Sequence, residues 1–199
     1  SDEQNPQHIY TSPGIYSVTL TITELNGCVE VVEKTDLIDV RGPVIGFIQS
    51  DDEVCLNTSI TFSDTSTRTD PVASRLWNMG NGATRTDSTF SYTYPVPGTY
   101  DVSLTITDDL GCSDSYTSDD AVIIPNPQSD FSFDRSVYCA GDVVTFTNLS
   151  TGTGLSYLWQ FGDGTTSTDQ NPTHSYPLDV DSTCEARLIV TNYLSCNDT

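Results

Sequence analysis

"GTYDVSLTITDDLGC" (residues 98–112) decides the fold. Tyr100, Val102, Leu104 and Ile106 alternate with Asp101, Ser103, Thr105 and Thr107. A period of two puts one set on a buried face and the other in water, which is the pattern of a β-strand. "GIYSVTLTITELNGC" (14–28) repeats it, with Tyr16, Val18, Leu20 and Ile22 in the apolar places. A third copy reads Cys184, Ala186, Leu188 and Val190. Ile60 with Phe62, and Val144 with Phe146, alternate in the same way in an earlier strand. No segment shows a convincing helical period.

The offset that lays Gly14 on Gly98 also overlays much of the remaining chain. Under it Phe47 falls on Phe131, Cys55 on Cys139 and Phe62 on Phe146. The expected organisation is a C-terminal part of one repeat over 1–41, a complete repeat over 42–125, and a repeat lacking its last strand over 126–199. The boundaries carry "RGPV" (41–44) and "IPNP" (124–127). Proline-rich joints this short read as stiff spacers. A chain that begins and stops in mid-repeat reads as a segment of a longer tandem array. Short strands with frequent turns predict an all-β chain of immunoglobulin-like β-sandwich repeats, each of about 84 residues.

Six cysteines stand at 28, 55, 112, 139, 184 and 196. No C-x-x-C pair occurs, so a zinc site or a thioredoxin-like site is a weak reading. The interval from Cys55 to Cys112 equals that from Cys139 to Cys196. Equal spacing predicts one disulfide per repeat, Cys55–Cys112 and Cys139–Cys196, and an oxidising compartment. By this rule Cys28 needs a partner before the chain begins. Cys184 has none, and reads as a buried thiol in the position that Tyr16 and Tyr100 occupy, the alternative being a bond to a residue outside this sequence or in a neighbouring fibre.

Acidic residues number 28 against 7 basic ones, for a formal charge of −21. Nucleic acid is a poor partner for such a surface, because phosphates are neutralised by Lys and Arg. Docking on an anionic membrane is equally disfavoured. No apolar run approaches the ~20 residues that cross a bilayer, and no signal peptide is visible. The acidity reads as solubility and spacing of neighbours. A sharper reading places divalent cations at the joints, between "TSDD" (117–120) and "SDD" (50–52).

"WQFGDG" (159–164) is matched by "WNMGNG" (77–82), so Asp163 becomes Asn81. A metal or acid–base role needs the carboxylate. A tight hairpin needs only a residue that tolerates positive φ, followed by glycine, as in Asp163-Gly164 and Asn81-Gly82. The stretch therefore reads as a turn. Trp77 with Met79, and Trp159 with Phe161, share the inner face of the strand leading into it, so both tryptophans read as core.

Trp-x-Phe-Gly-Asp-Gly, "NPTHSY" (171–176) and "PGTYDVSLTITDDLGC" (97–112) together resemble the polycystic kidney disease (PKD) domain, across essentially the whole chain. The resemblance implies a seven-stranded, immunoglobulin-like sandwich in extracellular proteins. The cysteines and the "GC" ending resemble PKD-like repeats of giant SprB-type gliding-motility adhesins of Bacteroidota, exported by the type 9 secretion system. Met79 and Asn81 depart from the family's Phe and Asp. Some PKD-like domains of secreted collagenases bind calcium through an acidic loop before the tryptophan strand. Here "TNLSTGTGLS" (147–156) has no carboxylate, so no calcium site is carried over and no cofactor is expected.

His8 and His174 share a repeat position that Tyr92 fills in the middle copy, which favours a structural role over a catalytic one. No G-x-S-x-G nucleophile motif and no phosphate-binding glycine loop is present, so no catalytic residue is assigned. Asn57, Asn148 and Asn197 begin sequons, and "DST" at 87–89 and 181–183 resembles an O-glycosylation signal at Ser88 and Ser182. The expected function is structural and adhesive: a segment of a long cell-surface fibre, attached to the outer membrane. Its expected partners are neighbouring repeats, a surface polysaccharide or substratum, and the gliding and secretion machinery. The alternatives are an accessory spacer of a secreted hydrolase and a surface-layer scaffold.

Overall fold

The computed structural model describes residues 1–67, 70–134, 138–139, 141–176 and 183–199. Among the described residues there are strands and no helix, so none is long and apolar enough to cross a membrane. β1 (Gly14–Thr23) and β2 (Val29–Val40) form an antiparallel hairpin. Next comes a three-stranded sheet, in which β4 (Ser59–Asp64) lies between β3 (Phe47–Gln49) and β7 (Thr89–Thr93). A four-stranded sheet accompanies it: β6 (Thr84–Arg85), β5 (Val72–Asn78), β8 (Gly98–Asp108) and β9 (Ser113–Ile124), in that order. The third copy repeats both sheets. One holds β10 (Phe131–Phe133), β11 (Val143–Asn148) and β14 (Thr173–Ser175); the other orders β13 (Thr166–Ser167), β12 (Ser156–Gln160), β15 (Arg187–Thr191) and β16 (Asn197–Asp198). Three strands and four make the seven of an immunoglobulin-like sandwich, so the all-β, PKD-like repeat expectation holds; in the third copy the last strand, expected to be missing, is represented by the two residues of β16.

The chain divides into two compact units. The first comprises Ser1–Ser50, Thr61–Ser91 and Tyr100–Ala121. Its core is centred on Trp77 of β5, which is wholly buried. The indole meets Phe47 of β3, Phe62 of β4 and Phe90 of β7 at centroid distances of 5.2, 6.1 and 5.3 Å. Edge-to-face packing at these distances suits the aromatic quadrupole. Its Nε1–H donates to the Asp87 carbonyl at 2.9 Å, so the buried indole leaves no donor unpaired. Trp77 pairs with Leu104 across the ladder, and Val102, Leu104 and Ile106 complete the inner face of β8.

The same unit contains a departure from expectation. Val18, Leu20 and Ile22 of β1 occupy the places of Val102, Leu104 and Ile106, yet they are 40, 59 and 50% exposed. Alternation sets which face of a strand is apolar, but burial needs a second layer against that face. The β1–β2 hairpin is a sheet of two strands. Its backbone nonetheless copies β8–β9. Asp36 and Asp120 both take φ of 50°, and their N–H groups donate to the Ser17 hydroxyl and the Asp101 carboxylate.

The second unit comprises Asp51–Ile60, Tyr92–Thr99 and Val122–Thr199. Trp159 of β12 is wholly buried among Phe131, Phe146 and Phe161, with Val144, Leu188 and Val190 closing the cluster. Its Nε1–H donates to the Asp169 carbonyl at 2.9 Å, repeating the Trp77 bond. Also in this unit, residues 52–54 run parallel to the end of β9 through a Glu53–Ile123 bridge. Val54 N–H donates to Ile123 O, and Ile123 N–H donates to Asp52 O. Ile60, Tyr92, Tyr94, Val122 and Ile124 are buried there.

Candidate functional site

The Gly-Asp-Gly turn is built differently from the expectation. Positive φ at Asn81 and Asp163 is the premise of an Asn-Gly or Asp-Gly hairpin. The structure places left-handed backbone on the flanking glycines instead: Gly80 (79°), Gly82 (87°), Gly162 (83°) and Gly164 (90°). Met79 N–H reaches Ala83 O, and Phe161 N–H reaches Thr165 O, around three-residue loops. Asn81 and Asp163 act through their side chains, accepting from the N–H groups of Ala83 and Thr165. The first glycine is also sterically required. A Cβ on Gly80 would lie 2.5 Å from Asp101 O, and one on Gly162 would lie 2.7 Å from Glu185 N and O.

Asp163 does more than turn the chain. Its Oδ2 lies 2.7 Å from His174 Nε2, its Oδ1 accepts from the Thr165 hydroxyl, and its side chain is 5% exposed. The Thr165 hydroxyl bond, above all, holds its pKa down at about 2, with the Thr165 N–H and His174 adding to it. His174 stacks flat on Phe161, at 4.1 Å between centroids, and meets Tyr176 edge-on. Asp, His and Thr here fasten a turn to a strand. The signal is visible in the sequence, since Asp163 with His174 is replaced by Asn81 with Tyr92 as a pair.

The more consequential feature is covalent. Cys55 is bonded to Cys196, with Cα atoms 5.3 Å apart at a sequence separation of 141. Cys28, Cys112, Cys139 and Cys184 hold free thiols. The pairings Cys55–Cys112 and Cys139–Cys196 are therefore corrected. Cys112 directly precedes β9, whereas the strand leading into Cys55 bonds to Ile123, beside the last residue of β9. A twelve-residue strand rising ~3.3 Å per residue is far longer than a disulfide can bridge. The bond instead joins an early cysteine of one sequence copy to the late cysteine of the next.

Local chemistry aims both sulfurs. Cys55 opens a tight turn in which Asn57 has φ of 65° and Thr58 N–H donates to Cys55 O. Cys196 ends a turn organised by Asn192, which is 5% exposed. Its Oδ1 accepts from the N–H groups of Leu194 and Cys196 at 3.0 and 2.9 Å. Asp108 does the same for Leu110 and Cys112. A short polar side chain four residues before Cys112 and Cys196 is the sequence signal for this turn, one that strand alternation does not draw out; the turn at Cys28 differs, its N–H donating to Asn26 Oδ1. Around the bond, Tyr193 donates to the Glu53 carboxylate, which raises the phenol pKa. The Ser129 N–H donates to Asp198 at 2.8 Å and lowers its pKa. Pro125 and Pro127 line the pocket of about 360 Å³ beside the disulfide. Two proline rings, a covalent bond and two hydrogen bonds thus converge on one joint.

Other expected places are quickly located. Cys184 is half-buried and lines an apolar hollow with Phe131 and Tyr176. Cys28 is exposed. Ser88, in the first "DST", is exposed; Ser182 lies outside the described residues. Among the described residues no group of three or more His, Cys, Asp or Glu side chains is arranged to hold a metal.

Comparison with known proteins gives a consistent picture. The PKD domain family model matches residues 1–40, 41–124 and 125–198. The pre-pro-metalloprotease PrtV of Vibrio cholerae serotype O1 is 37% identical over 118 residues, 59% of this chain and 13% of PrtV. Collagenase ColA of Bacillus cereus is 27% identical over 124 residues, 61% of this chain and 12% of the collagenase. The chain thus spans about an eighth of the length of these relatives. Among solved structures, the PKD1 domain of Vibrio anguillarum Epp is 31% identical, with a TM-score of 0.37. That match covers 43% of this chain and 98% of the domain. The PKD1 domain of Vibrio cholerae PrtV is 35% identical, with a TM-score of 0.34, covering 38% and 90%.

Proposed function

The chain belongs to the PKD domain family, and from that premise we propose that it is a non-catalytic, extracellular spacer whose successive repeats are clamped covalently at their joint. The Cys55–Cys196 bond carries this reading. A disulfide inside one sandwich stabilises that sandwich alone. A disulfide from one repeat to the next removes freedom between them, and a spacer works by keeping its ends apart. The bond also belongs to an oxidising compartment, which supports an extracellular location. In this proposal the repeat boundaries remain 41/42 and 125/126, and the surface charge of −21 keeps parallel copies apart.

The similarity to segments of PrtV and ColA supports the spacer as an accessory part of a secreted hydrolase, holding a catalytic domain at a distance from, or against, its polymeric substrate. A second reading is a segment of a cell-surface adhesin fibre, of the gliding-motility type exported by type 9 secretion. The tandem repetition along the whole chain supports a fibre. Peptide mapping of the native parent polypeptide separates the two. A hydrolase domain beside a few repeats supports the accessory role; a very long run of similar repeats without one contradicts it and supports the fibre.

A further inference from the structure

Two pockets of this chain share part of their lining under the repeat. One, of about 200 Å³, is lined by 41–43 and 112–114, together with 10–13. The other, of about 360 Å³, is lined by 125–127 and 196–198, together with Cys55 and Leu56. The repeat offset, Gly14 onto Gly98, carries 41–43 onto 125–127 and 112–114 onto 196–198. In the second pocket the late cysteine is bonded to an early one. In the first, Cys112 stands in the equivalent turn, organised by Asp108 as Cys196 is by Asn192, and holds a free thiol. Cys112 sits beside the joint, with its Cβ 3.7 Å from where a Cβ on Gly42 would lie.

The early cysteine has a copy too. In the turn at Cys139, Asp142 N–H donates to Cys139 O at 3.0 Å and Gly141 has φ of 86°. In the turn at Cys55, Thr58 N–H donates to Cys55 O at 3.0 Å and Asn57 has φ of 65°. Cys139 is exposed and holds a free thiol.

We propose that Cys112 and Cys139 are the two open halves of further joints, through which this chain is cross-linked to repeats of its own kind on either side. Cys112 takes the early cysteine of a repeat placed before it. Cys139 takes the late cysteine of a repeat placed after it. The partners in each case have a sequence separation of 141, as Cys55 and Cys196 do. The cross-links form a ladder in which every repeat is bonded to both neighbours and none is bonded within itself. The inference rests on the clamp reading of Cys55–Cys196. Each bond forms when two thiols give up two protons and two electrons; a disulfide oxidant such as glutathione disulfide accepts them and leaves as two thiols.

The test extends the full chain in phase. A copy of 116–199, carrying Cys139→Ser and Cys184→Ser, is appended after Thr199, so its late cysteine falls at a separation of 141 from Cys139. The protein is oxidised with glutathione disulfide, digested with trypsin without reduction and mapped by mass spectrometry. The expected product joins peptide 136–187 to the last peptide of the extended chain, and Cys139 loses its reactivity to alkylating reagents. Peptide 42–68 linked to the peptide of the original Cys196, with Cys139 still alkylated, overturns the inference and leaves the clamp standing. Peptide 42–68 linked to 86–135 overturns the clamp itself. A second protein, with a copy of 42–84 placed before Ser1, asks the same of Cys112 independently. There, alkylation of Cys112 undiminished beside an intact Cys55–Cys196 bond contradicts the proposal.

Discussion

Reducing the Cys55–Cys196 bond will lengthen the mechanically unfolded chain by a large and specific amount. The bond closes a loop with a sequence separation of 141, and an extended chain spans ~3.4 Å per residue, so it hides about 480 Å of contour. Pairing within repeats would instead hide two shorter loops, Cys55 to Cys112 and Cys139 to Cys196, of about 190 Å each. The assay is single-molecule pulling from the two termini, to complete unfolding, with and without reductant. One increment of about 480 Å on reduction is expected. Two increments of about 190 Å, or none, refute the reasoning. The same loop also raises thermodynamic stability: in the chain-entropy model, closing a loop at a separation of 141 is worth about 5 kcal/mol. Reduction is therefore expected to lower the melting temperature of the second unit.

Three further perturbations follow from local geometry. Gly80→Ala puts a Cβ 2.5 Å from Asp101 O at a φ of 79°, whereas Gly82→Ala meets open space at 87°; denaturant melts should show a loss of about 3 kcal/mol or more for the first and about 1 kcal/mol for the second. Asn192→Ala leaves the Leu194 and Cys196 N–H groups without their acceptor and is expected to cost about 1–3 kcal/mol and to slow oxidative formation of the disulfide, read by thiol titration during refolding. Asp163 has a folded pKa of about 2, below its ordinary 3.8, so its contribution is complete above pH 3.8 and is lost as pH falls towards 2. Asp163→Asn should abolish that part of the acid sensitivity, measured by hydrogen exchange of 156–176 between pH 4 and about 2; an unchanged profile contradicts the assignment.

The strands are legible because period-two alternation is a local property. Tyr100, Val102, Leu104 and Ile106 declare their strand without reference to anything else. Trp77 and Trp159 read as core for the same reason, as each shares a strand face with a second apolar residue. Burial of β1 is not legible, because alternation names the apolar face and only a second sheet covers it. The turn is half legible. Glycine and aspartate signal a tight loop, but which residues carry positive φ is not legible, and neither is the close approach of Asp101 and Glu185 that bars a side chain at Gly80 and Gly162.

The disulfide pairing escapes the sequence for an instructive reason. Once a chain repeats at a fixed interval, Cys139–Cys196 is simply Cys55–Cys112 shifted along, so their equal spacing carries no information about pairing. Pairing within a repeat and pairing between neighbours both give a constant spacing. What separates them is three-dimensional: the strand into Cys55 lies along the end of β9, whereas Cys112 stands before its beginning. The buried polar residues four positions before Cys112 and Cys196 shape the turns but do not choose the partner.

The most direct measurement is the disulfide map of the oxidised chain itself. Cleavage after Lys and Arg puts Cys55 in peptide 42–68, Cys112 in 86–135, Cys139 and Cys184 in 136–187, and Cys196 in 188–199. The clamp predicts 42–68 cross-linked to 188–199, with Cys112 and Cys139 alkylated. Cross-links of 42–68 to 86–135 and of 136–187 to 188–199 would contradict it, and with it the covalently jointed spacer.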